Sequence, residues 1–115
     1  MLNIENKYGP VNISYSVLAN LVGVATTSCY GVVGMASRNA SDGIAAILRQ
    51  ENYEKGIRVD VVNEKLNIDL HIVALYGVNL SAIAESITHK VKYTVEEQTG
   101  FEVGEITVYV DSMRV

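Results

Sequence analysis

The residues of this chain whose types and spacing could do chemistry begin with Cys29, its only cysteine, in the stretch "ATTSCYGVVGMASRN" at residues 25–39. A cysteine nucleophile needs a base within hydrogen-bond reach and an exposed, electropositive setting. No Lys or Arg lies between Lys7 and Arg38, and Cys29 continues an apolar helical stripe, so it reads as a small buried hydrophobe. Just after it, "GVVG" (Gly31 to Gly34) matches the Gly-x-x-Gly loop that clamps nucleic-acid backbone in one class of RNA-binding domain. Its middle residues are both Val, a strand follows, and no basic residue is adjacent. Glu85 and His89 are four apart on a helix, and Asp69 and His71 share a strand face. Either pair could supply two metal ligands, but neither brings a third in sequence, and both read as solvated polar faces. The sequence therefore assigns no catalytic residue, no cofactor site and no metal site.

The elements that must position these residues follow from periodicity. "VNIS" reads as a short strand entering a helix, with Ser14 as N-cap and Ile13 and Leu18 as a hydrophobic staple. Leu18, Val22, Ala25 and Cys29 recur at four, three and four, with Leu21 alongside, and make one apolar stripe. Gly31 stands where a helix commonly stops in a left-handed residue, and "VVGMAS" continues as a strand. Ser41 caps a shorter helix with Ile44, Ile47 and Leu48 inward, closed by Lys55-Gly56.

Ile57, Val59 and Val61 alternate with Arg58 and Asp60, and Leu66, Ile68, Leu70, Ile72 and Ala74 form one face of a longer strand. The pair is a hairpin. Side-chain parity and charge predict a tight loop at Asn63-Glu64, which sets Arg58 opposite Asp69 instead of Asp60 opposite Asp69. A helix of about twenty residues follows. Asn79 caps it, Leu80, Ile83, Ala84, Ile87, Val91 and Val95 line one face, and Gly100 ends it with Phe101 folding back on Val95. In the last strand, residues 101–110, the apolar phase slips between Val103 and Ile106, which predicts a bulge near Gly104. Helices on one face of a mostly antiparallel sheet give an α+β two-layer domain, a single unit over residues 1–115. Each strand–helix–strand piece is expected to cross over right-handed.

The composition fits one folded domain, being 49% hydrophobic and 19% charged with a single Pro. One cysteine forms no internal disulfide, which suits a reducing compartment. The net charge of −4 is uneven: residues 1–57 carry four Lys/Arg and four Asp/Glu, residues 58–115 five and nine. Such a chain lacks the basic stripe that phosphate backbones or anionic lipid would need, which disfavours nucleic acid as a partner. The run from Tyr8 to Ser37 has no charged residue, but its polar residues, Gly and Pro argue against direct membrane insertion. The start, "MLNIENKYGP", has no cation-led apolar core and does not read as a signal peptide.

"IDLHIVALYGVNLSAIAESITHKVKYTVEEQTGFEVGEITVYVDSM" resembles the bacterial alkaline shock (envelope stress response) protein family. A strand ending in Tyr-Gly-Val-Asn, a long helix ending in Thr-Gly and a closing strand of alternating Val carry the likeness. "GPVNISYSVLANLVGVA" and "GVVGM" extend it to about residues 8–113. Ser28-Cys29 departs from the acidic-then-aliphatic pair common there. The resemblance implies a cytoplasmic, non-enzymatic protein of envelope or alkaline stress, without catalytic residues or cofactor. It also implies a homo-oligomer recruited to the membrane through a membrane-anchored protein partner.

One anomaly bears on that expectation. The strand face that begins Asn67, Asp69, His71 continues as Val73 and Leu75, so it turns apolar while Ala74 and Tyr76 fill the other side. Runs of this kind are covered on both faces. Cover from within the chain or from a second subunit would serve, and the resemblance favours the subunit. Val73 and Leu75 are therefore the candidate self-association surface.

Overall fold

Alternation from Leu66 to Ile72, followed by the apolar run Val73-Ala74-Leu75, builds the strand around which the other elements are arranged. In the computed structural model, residues 2–6, 9–37 and 47–115 are described. The elements are β1 (Leu2–Asn6), β2 (Gly9–Ile13), α1 (Tyr15–Thr27) and β3 (Val32–Met35), then a 3₁₀ turn (Gln50–Gly56), β4 (Ile57–Val62), β5 (Lys65–Leu75), α2 (Leu80–Thr99) and β6 (Val103–Arg114). One edge of β5 carries β4 and β3, both antiparallel, and its other edge carries β6 in parallel. The parallel pair follows from α2, because parallel neighbours need a crossover that an intervening helix supplies. β1 and β2 form a separate antiparallel hairpin, a strand more than the sequence pattern indicates.

The β4–β5 hairpin has the expected register, Arg58 opposite Asp69 and Val59 opposite Ile68. Asn63 and Glu64 take φ of 51° and 65°, as a two-residue loop matching strand twist requires. The ion pair itself forms along the strand instead of across it, with Arg58 Nε 3.2 Å from Asp60 Oδ2.

α1 buries Leu18, Val22 and Ala25 as the stripe predicts, and Thr26 Oγ1 is satisfied by donating to Val22 O at 2.8 Å. Ser14 holds the N-cap position in extended conformation, but its side chain makes no capping bond. The Tyr15 hydroxyl instead ties the start of α1 to the Ile57 carbonyl. Gly31, at φ +88°, turns the chain from the end of α1 into β3. The expected short helix begins outside the described residues, with Ser41 and Ile44 among residues 38–46, and residues 47–49 are not helical, so Ile47 is exposed instead of inward. Its closing part, Gln50–Gly56, is 3₁₀, and Ile47 bridges antiparallel to Ala36.

α2 matches its sequence signals closely. Asn79 Oδ1 accepts the Ala82 N–H at 3.1 Å, and Gly100 at φ 76° returns its own N–H to Glu96 O at 3.0 Å. Ile83, Ile87, Val91 and Val95 are buried, while Leu80 at the first turn is exposed. Phe101 joins the same core as Leu18, Met35, Ile57 and the inner face of β5. The expected bulge is present: Leu66 pairs with Val103 but Ile68 with Ile106, so an extra residue is absorbed at Gly104-Glu105. Asn67 Oδ1 accepts the freed Glu105 N–H at 3.0 Å. β6 runs beyond the predicted limit, to Arg114, through a second bulge at Asp111.

Candidate functional site

Cys29 is half-buried against the core, and its thiol donates to Ala25 O at 3.6 Å. Replacing it with alanine is expected to cost no more than about 1–2 kcal/mol in urea unfolding, the scale of a small change in packing. Its thiol should react with Ellman's reagent more slowly than a free peptide thiol. Equal rates would place Cys29 outside the core. "GVVG" does not join two helices: Gly31 lies in the turn after α1 and the remaining residues belong to β3.

The two acid–histidine pairs separate in the fold. His89 and Glu85 face each other at 4.0 Å in open solvent. His71 leaves Asp69 and turns to Asp111, whose carboxylate oxygens are 3.0 and 3.1 Å from Nδ1. Tyr109 lies flat beside the imidazole, ring centroids 4.8 Å apart and planes 15° from parallel. The parallel register makes this cluster by setting His71 opposite Tyr109, and the second bulge presents Asp111 to the ring. A carboxylate and a stacked ring orient an imidazole. Among the described residues no group of three or more His, Cys, Asp or Glu could hold a metal ion.

The apolar end of β5 is divided. Val73 is 0% exposed within the single chain, clustered with Ala36. Its register partner Gly34 leaves room for Ile47, whose Cγ2 lies 2.6 Å from where a Cβ would stand. The cover over Val73 is thus built from the chain's own β3 and the segment that follows. Leu75 is half-buried at the rim of this cover. Its N–H donates to Gly31 O at 2.8 Å, and the Tyr76 N–H donates to Arg114 O at 2.7 Å. Those two bonds draw Tyr30, Tyr76 and Met113 to one end of the sheet, where they are 83%, 69% and 49% exposed. Exposed aromatic and methionine side chains are the residue types that protein interfaces favour.

A model of the alkaline shock protein 23 (Asp-23) family, described as having a cell envelope-related function, matches residues 3–115. The chain belongs to this family. Among similar proteins, the uncharacterized protein YloU of Bacillus subtilis (strain 168) is 41% identical over 115 residues, 99% of this chain and 96% of the relative. An uncharacterized protein of Streptococcus pyogenes serotype M6, Spy1614, is 36% identical over 99% of this chain and 95% of its own length. A stress response regulator gls24 homolog of Streptococcus pyogenes serotype M3 is 26% identical over 102 residues, 89% of this chain but 57% of that protein. No solved structure matches. Among the described residues, no helix is long and apolar enough to cross a membrane.

Proposed function

We propose that this chain is a non-enzymatic, cytoplasmic assembly protein of the cell-envelope stress response. In this reading it is held at the membrane by a membrane-anchored protein partner and by contacts with copies of itself. The family match over residues 3–115 carries the reading, since it joins the whole chain to an envelope-related function. The regulators named among the relatives support the stress connection. The exposed end at Tyr30, Tyr76 and Met113, with Leu75 at its base, supplies surface for a protein partner. A net charge of −4 supplies no attraction to anionic lipid, so recruitment runs through protein.

The test pairs two measurements. In extracts of the native cell the protein should sediment with the membranes and be released when exposed membrane proteins are digested. Purified protein should not bind vesicles of phosphatidylglycerol and phosphatidylethanolamine. Direct vesicle binding, or a protein found entirely away from the membranes, would overturn the reading.

A further inference from the structure

β6 is twelve residues long and pairs with β5 along one edge, while among the described residues no strand pairs with its other edge. An edge of this length presents a row of backbone donors and acceptors to any added strand, and natural domains usually block one with Pro, inward charge or shortness. β6 has no Pro, and its charged residues are only Glu105, Asp111 and Arg114.

The pattern of these residues selects the added strand. Pairing with β5 puts Val103, Ile106, Val108, Val110 and Met113 on the core side, and Thr107, Tyr109, Ser112 and Arg114 on the outer side. Glu105 lies after the first bulge, its N–H held by the outward Asn67. Two identical strands related by a two-fold axis perpendicular to the sheet run antiparallel, and opposed residues must then share a face. With the axis at Tyr109, Val108 meets Val110, Thr107 meets the bulged Asp111-Ser112, Ile106 meets Met113, and Glu105 meets Arg114. Every opposed pair shares a face, and the two terminal charges are complementary at both ends. Asp111 faces Thr107 while His71 of its own chain holds its carboxylate at 3.0 Å. Moving the axis to Val108 brings Glu105 beside Asp111 of the second copy, a like-charge contact. Moving it to Val110 sets Arg114 opposite Thr107, so the Glu105–Arg114 pair is not made.

We infer that a second copy of this chain adds to the open edge of β6, antiparallel and centred on Tyr109, joining two sheets into one. This rests on the assembly reading above and names its self-contact. Tyr109, 45% exposed in the single chain, becomes the residue at the axis.

Tyr109→Cys on a Cys29→Ala background tests the geometry directly. Residues opposed in an antiparallel pair have Cα atoms about 4.5–5.5 Å apart, inside the range a disulfide spans. Mild oxidation should therefore give a disulfide-linked dimer. Thr107→Cys on the same background is the control, because its two copies would stand about 13 Å apart along the strands, too far to bridge. Independently, Glu105→Lys should weaken self-association about tenfold by turning two ion pairs into like-charge contacts, and adding Arg114→Glu should restore it. Circular dichroism of each variant separates loss of pairing from loss of fold. No cross-link at residue 109 in a folded protein, equal cross-linking at 107, or no rescue by the double reversal would overturn the inference. Membrane sedimentation of the native protein would still report on the partner-bound reading, so the two can fail separately.

Discussion

Phe101→Ala should destabilise the domain by about 3–5 kcal/mol, the usual cost of deleting a buried aromatic ring. Phe101 is 1% exposed and lies just beyond the glycine that ends α2, in one core with Val95, Val91 and the inner face of β5. Its own N–H is satisfied by Thr99 Oγ1 at 3.1 Å, so truncation removes packing and leaves that bond in place. A domain of this size commonly has about 5–15 kcal/mol in total, so the variant should sit near its unfolding threshold. Urea unfolding followed by circular dichroism measures the loss. A cost below about 1 kcal/mol would mean that the α2–β6 junction is not core.

Gly31→Val should cost about 2–4 kcal/mol, by two mechanisms that a double-mutant cycle can separate. The backbone there has φ +88°, which a β-branched residue adopts only under strain. A Cβ at Gly31 would also stand 2.5 Å from Cδ1 of Ile83, in the first turns of α2. Ile83→Val removes that methyl, so the double variant should recover the steric part and retain the backbone part. If the two changes simply add, the contact between the α1 turn and α2 is not as close as described.

Much of this was legible in the sequence wherever one face is wet and the other dry. The β4–β5 register follows from parity, because a one-residue slip would turn Ile68 and Leu70 outward. The limits of α2 follow from Asn79 and Gly100, each filling a position with a specific chemical demand. The bulge at Gly104 follows from a phase slip between apolar residues, and a Cβ there would come within 2.7 Å of Asn67 Oδ1. The second bulge, at Asp111, is marked only by the three-residue step from Val110 to Met113, and one half-exposed residue at a strand end does not fix a phase. The His71–Asp111 pair consequently goes unseen, as it depends on a parallel register between residues forty positions apart.

Val73 illustrates a different limit. Its apolar character correctly calls for cover, but periodicity does not say which element provides it. The fold puts Ala36 against it and Ile47 over neighbouring Gly34. The surface left for a partner is consequently Leu75 with the exposed rings around it, together with the open edge of β6. Ser14 shows that a residue type suited to capping can occupy the cap position without making the bond.

Self-association is tested most directly by light scattering of the purified wild-type protein across a wide concentration range. The mass should rise with concentration to at least twice the 12.5 kDa of one chain. A mass that stays at 12.5 kDa up to the highest attainable concentration would contradict self-association.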